Sequence, residues 1–159
     1  MDFPLVQPPL HIVLYEPDIP PNTGNIARLC AGTGAILHLI EPLGFRLTDQ
    51  AMKRAGLDYW DAVTLLRHKN FDAFLEQHTA GRLFLLSTHG KTPYTAASYQ
   101  PGDALLFGSE TRGLPDALHE RFASTSLTIP MLPGAIRSIN LANSVAIVLY
   151  EALRQVGLR

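Results

Sequence analysis

Four short, nearly unbroken apolar runs constrain this chain most: LHIVLY (Leu10 to Tyr15), AILHLI (Ala35 to Ile40), RLFLLST (Arg82 to Thr88) and DALLFG (Asp103 to Gly108). A strand with one wet face alternates apolar and polar residues, whereas one that is apolar throughout is covered on both faces. Between and beyond these runs the pattern turns helical. In TGNIARLCAGTG (Thr23 to Gly34), Ile26, Leu29 and Cys30 fall at helical spacing and glycines stand where a helix would stop. TDQAMKRAGLDYW (Thr48 to Trp60) reads as a capped short helix and AVTLLR (Ala62 to Arg67) as a strand. NFDAFLEQH (Asn70 to His78) reads as a helix opened by an Asn cap. LPDALHERF (Leu114 to Phe122) is helical, LTIP (Leu127 to Pro130) is a strand, and Ile139 to Val156 forms a last long helix. Alternation of this kind predicts an α/β fold, a mostly parallel sheet flanked by helices.

The 159 residues suit one domain, expected over 10–159 and preceded by a short tail over 1–9. No run approaches the roughly 18 apolar residues of a membrane span, and the start has no signal-like core, so a cytoplasmic location is expected. Cys30 is the only cysteine, and the six histidines show no H-E-x-x-H spacing; no metal site is expected. With 13 basic and 14 acidic residues the net charge of -1 does not announce a nucleic-acid binder, although a local basic patch would suffice.

In open α/β sheets ligands bind outside the carboxyl ends of strands. That directs attention to the loops STHGKTP, GSETRGLP and PMLPGAIRSIN. Gly108 removes a Cβ at a strand end, and Gly113 permits a left-handed turn before Pro115. Glu110 and Arg112 either point into a site or pair with each other. Phosphate-loop and dinucleotide fingerprints are absent, and no nucleophile elbow surrounds Ser109. Near the start, PPNTGNIARLC sets Asn22, Asn25 and Arg28 around a helix entry, with Arg28 one turn beyond Asn25. Such an entry suits an anion, and equally suits an ordinary cap with a solvated arginine. The final helix is apolar over more than one stripe, at Ile139, Ala142, Val145, Ala146, Val148, Leu149 and Leu153. It is either a central core helix or one that also closes a homodimer.

Taken together and in order, NTGNIARLC, FGSETRGLP and IPMLPGAIRSINLANSVAIVLYEA closely resemble the three motifs of the SPOUT-class RNA 2′-O-ribose methyltransferases, within them the short TrmL subgroup. The resemblance runs from Leu10 to about Gly157 and includes YEPDIPPNTGN and RAGLDYW. It implies an α/β knot fold, with loops after three adjacent strands forming a C-terminal trefoil knot around S-adenosylmethionine, and a homodimer closed partly by the last helix. By motif, the cofactor contacts fall at Leu86, Gly108, Gly113, Ile129, Met131, Leu132 and Ser138. The polar set assigned to chemistry falls at Asn22, Arg28, Glu110, Ser138 and Asn140. The subgroup methylates the wobble ribose of certain leucine tRNAs, on cytidine or a modified uridine. Ser109, where relatives often carry proline, and Ala142, where serine is common, depart from the pattern without removing a group assigned to chemistry.

The family's arginine, here Arg28, has been assigned as general base, but a guanidinium stays protonated. Arg28 is instead expected to hold the adjacent phosphate and stabilise the developing alkoxide, with Ser138 and Asn140 orienting the ribose. Arg46, Lys53, Arg54, Arg67, Lys69, Arg112 and Arg137 are candidates for a phosphate track. Two alternatives stay open: a ribose methyltransferase acting on another RNA nucleotide, and a non-catalytic RNA-binding protein that keeps the cofactor pocket.

Overall fold

The computed structural model describes residues 4–48, 60–79 and 81–157. Its centre is a sheet of seven strands: β1 (His11–Tyr15), β2 (Ile36–Ile40), β3 (Leu65–His68), β4 (Leu83–Leu86), β5 (Thr92–Pro93), β6 (Ala104–Phe107) and β7 (Ser126–Thr128). They lie in the order β3-β2-β1-β6-β4-β7-β5 and every pairing is parallel. The helices are α1 (Pro20–Thr33), α2 (Phe71–Gln77), α3 (Asp116–Arg121) and α4 (Leu141–Val156).

Successive strand residues point to opposite faces, and the two faces are dry for different reasons. Ile12 and Leu14 of β1, Leu37 and Leu39 of β2, Phe84 and Leu86 of β4, and Leu105 and Phe107 of β6 meet α1 and α4. Val13, Ile40, Leu83, Leu85, Ala104 and Leu106 point the other way, onto Phe71 and Phe74 of α2 and onto Leu114 and Leu118 around α3. Burying each of the larger side chains among these contributes roughly 1.5–3 kcal/mol, which explains why these strands are apolar apart from His11 and His38.

Several element boundaries fall one or two residues away from the sequence expectation: the last helix starts at Leu141 rather than Ile139, the last strand is Ser126–Thr128 rather than Leu127 to Pro130, and α3 is shorter than Leu114 to Phe122. Others differ more. The first helix begins at Pro20 rather than Thr23: Ile19 is the extended N-cap without a side-chain cap bond, and Pro20 and Pro21 open the helix. Proline is tolerated there because the first helical N–H groups have no intrahelical partner. The strand expected over Ala62 to Arg67 starts only at Leu65, after a 3-10 turn at Trp60–Ala62. The two-residue β5 was not expected at all; it pairs β7 through Thr92 and Pro93. The helix expected from Thr48 falls mainly outside the described residues. Elsewhere Asn70 caps α2 by accepting from the Ala73 N–H at 2.8 Å. Gly34 ends α1 at φ 76, its N–H donating to the Cys30 carbonyl. Ahead of β1, Val6 packs against the core.

Candidate active site

β6, β4 and β7 are neighbours, so their carboxyl-end loops meet. Between these loops lies a cleft of about 820 Å³. Leu86, Phe107, Leu114, Ile129 and Met131 give it apolar walls, and Ser87, His89, Glu110, Arg112, Asp116, His119 and Arg137 bring polar groups to it. A volume in the range of ~300–1,000 Å³ with a few convergent polar groups is typical of small-molecule sites.

The turn after β6 has an unusual reason for its glycines. A Cβ on Gly108 would lie 2.5 Å from the carbonyl carbon of Gly113 and 2.8 Å from the Leu114 nitrogen. The space kept by Gly108 is therefore filled by the chain's own backbone, which returns at Gly113 with φ +65. Ser109 and Gly113 exchange backbone hydrogen bonds of 3.2 and 3.0 Å, and the Ser109 hydroxyl accepts the Arg112 N–H at 3.0 Å. Within this tight turn Glu110 and Arg112 do not pair with each other. The Glu110 carboxylate accepts the backbone N–H groups of Asp18 (3.2 Å) and Ile19 (2.5 Å), immediately before α1. Since α1 has no acidic residue in its first turn, Glu110 supplies the negative charge that a helix start favours. Arg112 reaches Glu16 at 3.4 Å and Asp18 at 3.7 Å.

Asn22 and Asn140 meet on one side of the cleft. The Asn140 amide donates to Asn22 Oδ1 at 3.1 Å, tying α1 to the start of α4. Asn140 is also the N-cap of α4, its side chain accepting the Asn143 N–H at 3.2 Å. Beyond this pair a smaller hollow of about 430 Å³ separates the two helices, lined by Asn25, Leu29, Asn140, Ala142, Asn143 and Ala146.

Of the residues expected at the site, Asn22, Glu110, Ser138 and Asn140 line the cleft, as do Leu86, Gly108, Gly113, Ile129 and Met131. Leu132 is 80% exposed and lies outside the lining. Arg28 is exposed on α1, three residues beyond Asn25, and also lies outside it. Among the expected phosphate-track residues, Arg137 lines the cleft, Arg46 and Lys69 are exposed, and Arg67 pairs with Glu41. Lys53 and Arg54 fall outside the described residues. Sequence inspection missed His89, Asp116 and His119 as lining residues, although His89 sits in a loop already marked by its place after an apolar strand. His89 and His119 meet edge to face, 5.7 Å between ring centres.

Comparison with known proteins settles the relationship. A model of the SpoU rRNA Methylase family matches residues 9–150. The chain belongs to this family. It is 54% identical over 149 residues to the tRNA (cytidine(34)-2'-O)-methyltransferase of Escherichia coli K12, covering 93% of this chain and 94% of that one. A solved structure concerned with 2-OH methylation of C/U34 on tRNA superposes with a TM-score of 0.85 at 51% identity, covering 92% of this chain and 95% of the other. The AdoMet-bound rRNA methyltransferase of Sinorhizobium meliloti gives a TM-score of 0.80 at 28% identity, covering 92% and 56%. Membership of the SpoU family makes the chain a methyltransferase and bears out the resemblance carried by its three motifs.

Proposed function

We propose that this chain transfers a methyl group from S-adenosylmethionine to the ribose 2′-hydroxyl of the wobble nucleotide, position 34, of leucine tRNAs. The observation that carries the substrate is the near full-length likeness, at 54% identity, to a tRNA cytidine-34 methyltransferase. The cleft fits the cofactor by its chemistry. It offers apolar walls at Leu86, Phe107, Leu114 and Ile129 for a nucleoside, and both carboxylates and guanidinium groups within reach of a charged amino-acid tail. When bound, S-adenosylmethionine supplies an electrophilic methyl on a sulfonium.

The protein's part is then largely orientation, which accounts for much of the rate of such transfers. Asn22 and Asn140, bonded to each other across α1 and α4, form a polar edge to the cleft against which the ribose is set. Ser138, two residues before Asn140, faces the same cleft. Arg28 holds the phosphate next to the target and stabilises the developing alkoxide. It lies outside the lining of its own chain's cleft, and in the dimer that the resemblance implies it stands near the site of the second copy. Glu110 is already committed to two backbone N–H groups and serves to hold α1.

The same resemblance supports a trefoil knot at the carboxyl end of the chain. β7 lies on the side of β4 away from β6, and the connection to it runs through the Gly108–Gly113 turn and α3. The resemblance also supports a homodimer through α4; the proposal keeps the single domain over 10–159 and the cytoplasmic location expected from length and composition. Among the described residues no helix is long and apolar enough to cross a membrane.

The test is transfer of labelled methyl from S-adenosylmethionine to bulk tRNA lacking the modification, followed by nuclease mapping. Label at the first anticodon nucleotide of leucine tRNA is expected. Label elsewhere reassigns the substrate, and no label despite bound cofactor favours a non-catalytic RNA-binding protein. In the same assay Arg28→Lys is expected to keep a measurable fraction of the rate and Arg28→Ala to lose most of it; equal loss in both removes the phosphate-holding role.

A further inference from the structure

Asp18 has no part in the chemistry described so far, yet three consecutive residues of the turn after β6, Glu110, Thr111 and Arg112, converge on it. Its backbone N–H donates to Glu110 at 3.2 Å. One carboxylate oxygen accepts the hydroxyl hydrogen of Thr111, and the other lies 3.7 Å from the Arg112 guanidinium. On its far side Gly44 is pressed against it, so that a Cβ there would fall 2.9 Å from the Asp18 Cα and 2.8 Å from its Oδ1. The Gly44 N–H also donates to the Pro17 carbonyl at 2.9 Å.

The segment around Asp18 is held in shape by these contacts. Glu16, two residues earlier, has φ 47. That left-handed conformation costs about 1–2 kcal/mol in a residue with a Cβ and persists where the surroundings over-determine it. Here the Glu16 N–H donates to the Ile40 carbonyl at 3.0 Å and its carboxylate faces Arg112 at 3.4 Å. The opposing turn is equally constrained, by the Ser109–Gly113 bridge. Two rigid turns therefore meet through three side chains, Glu110, Thr111 and Arg112, all of which also line the cleft. Directly beyond Asp18 starts α1, which carries Asn22 into the cleft and Arg28 beyond it.

We infer that Asp18 is a positioning residue: its latch to the Glu110–Arg112 turn sets helix α1, and with it Asn22 and Arg28, against the cofactor cleft. A ligand seated on the Gly108–Gly113 turn thereby tightens the start of α1. The latch stands between cofactor and RNA, so it governs the rate of transfer more than the affinity for either. The activity arm of the test rests on the methyltransferase function proposed above; the exchange arm does not.

Asp18→Ala and Thr111→Val each remove one side of the central hydrogen bond, the latter with almost no change of shape. Asp18→Asn keeps an acceptor oxygen and serves as the conservative variant. In steady-state transfer to tRNA, each of the first two is expected to lower kcat roughly 10- to 100-fold, the scale set by small misplacements at a reacting centre. KM for S-adenosylmethionine should stay within about 2-fold. The double variant should match the worse single one, because both cut the same contact, and Asp18→Asn should recover part of the rate. In parallel, amide hydrogen exchange over residues 18–24 is followed with and without S-adenosylhomocysteine. Slower exchange on adding the nucleoside in the wild type, lost in Thr111→Val, supports the latch. A raised KM at unchanged kcat, additive losses in the double variant, or nucleoside-induced protection that is absent in the wild type or survives in Thr111→Val overturns it. A wild type that transfers no methyl group to tRNA defeats the proposed function instead, and the exchange result still decides the latch.

Discussion

Gly108 and Gly32 differ in what a single methyl group would meet. Around Gly108 the nearest atoms to an added Cβ are all backbone, 2.5 to 2.8 Å away in Gly113 and Leu114, and none of them rotates aside. Gly108→Ala must open the Ser109–Gly113 turn, so a loss of about 1–3 kcal/mol is expected, the usual cost of overpacking, together with weakened cofactor binding. Gly32 lies exposed inside α1 with nothing within 4 Å of its Cβ position. Gly32→Ala should therefore raise stability by about 0.5–1 kcal/mol through reduced chain entropy. Urea midpoints of the two variants check both signs, and a neutral Gly108→Ala would mean that the turn is looser than its contacts imply. The glycine pair was legible in FGSETRGLP as a place where something comes close. What comes close was not, because an approach between residues five apart depends on a turn whose hydrogen bonds no local pattern displays.

The strands that were clearest in the sequence are those buried on both faces, since continuous burial leaves a continuous apolar run. β5 escaped notice because two residues carry no periodicity, and the start of α1 because Pro-Pro resembles a loop until a helix is seen to begin there. Least legible was a row of histidines, spread over residues 11–68, that only the register of β1, β2 and β3 assembles. Val13 pairs His38 and Ile40 pairs His68, so His11, His38 and His68 fall on one diagonal. His11 Nδ1 lies 2.8 Å from His38 Nε2, and His38 Nδ1 lies 2.9 Å from His68 Nε2. Phe74 and His78, on and just after α2, close over the row, with Asp103 near His78. Burial, reinforced by neighbouring rings that would also be charged, lowers His11 to about 4 and His38 to about 3. Both stay neutral when folded, while the unfolded chain binds protons from about pH 6.5 downward. Stability is thus unaffected above that value and falls as pH drops from about 6.5 towards 4, by up to about 1.4 kcal/mol per pH unit for each histidine titrating only in the unfolded state. Urea titrations across this range should show the slope, and His38→Gln should lessen it by the share of one histidine, since His11, His68 and His78 are lowered as well. An unchanged slope would mean that the row takes up protons without unfolding.

On the scale of the whole molecule, α4 is the element whose two sides ask for different partners. Val145, Val148, Leu149, Ala152 and Leu153 are buried in the core shared with α1. Its other side presents Asn143, Ile147, Tyr150 and Arg154, with Ile147 36% and Tyr150 49% exposed, next to the hollow lined by Ala142 and Ala146. The apolar breadth of this helix was legible in the sequence, but its division between core and outer face was not, because helical periodicity reports how much of a circumference is apolar and not what stands opposite each part. Under the proposed dimer this outer face is covered by a second copy, and the hollow holding Asn25 and Asn140 sits at its edge. Ile147→Glu places a charge that would be buried unpaired at such an interface, a cost large enough to separate the copies. Sedimentation should find the wild type at twice its 17.4 kDa and the variant at the single-chain mass. If the cleft binds its ligand without help from a second copy, the isolated variant should still bind S-adenosylhomocysteine, and loss of that binding would show that the partner completes the site; transfer to tRNA should fall if, as the proposed dimer implies, both copies meet the RNA. A variant that stays dimeric would put the interface elsewhere and leave the outer face of α4 to another partner, and a monomer with undiminished transfer would place the RNA-binding surface on one chain alone.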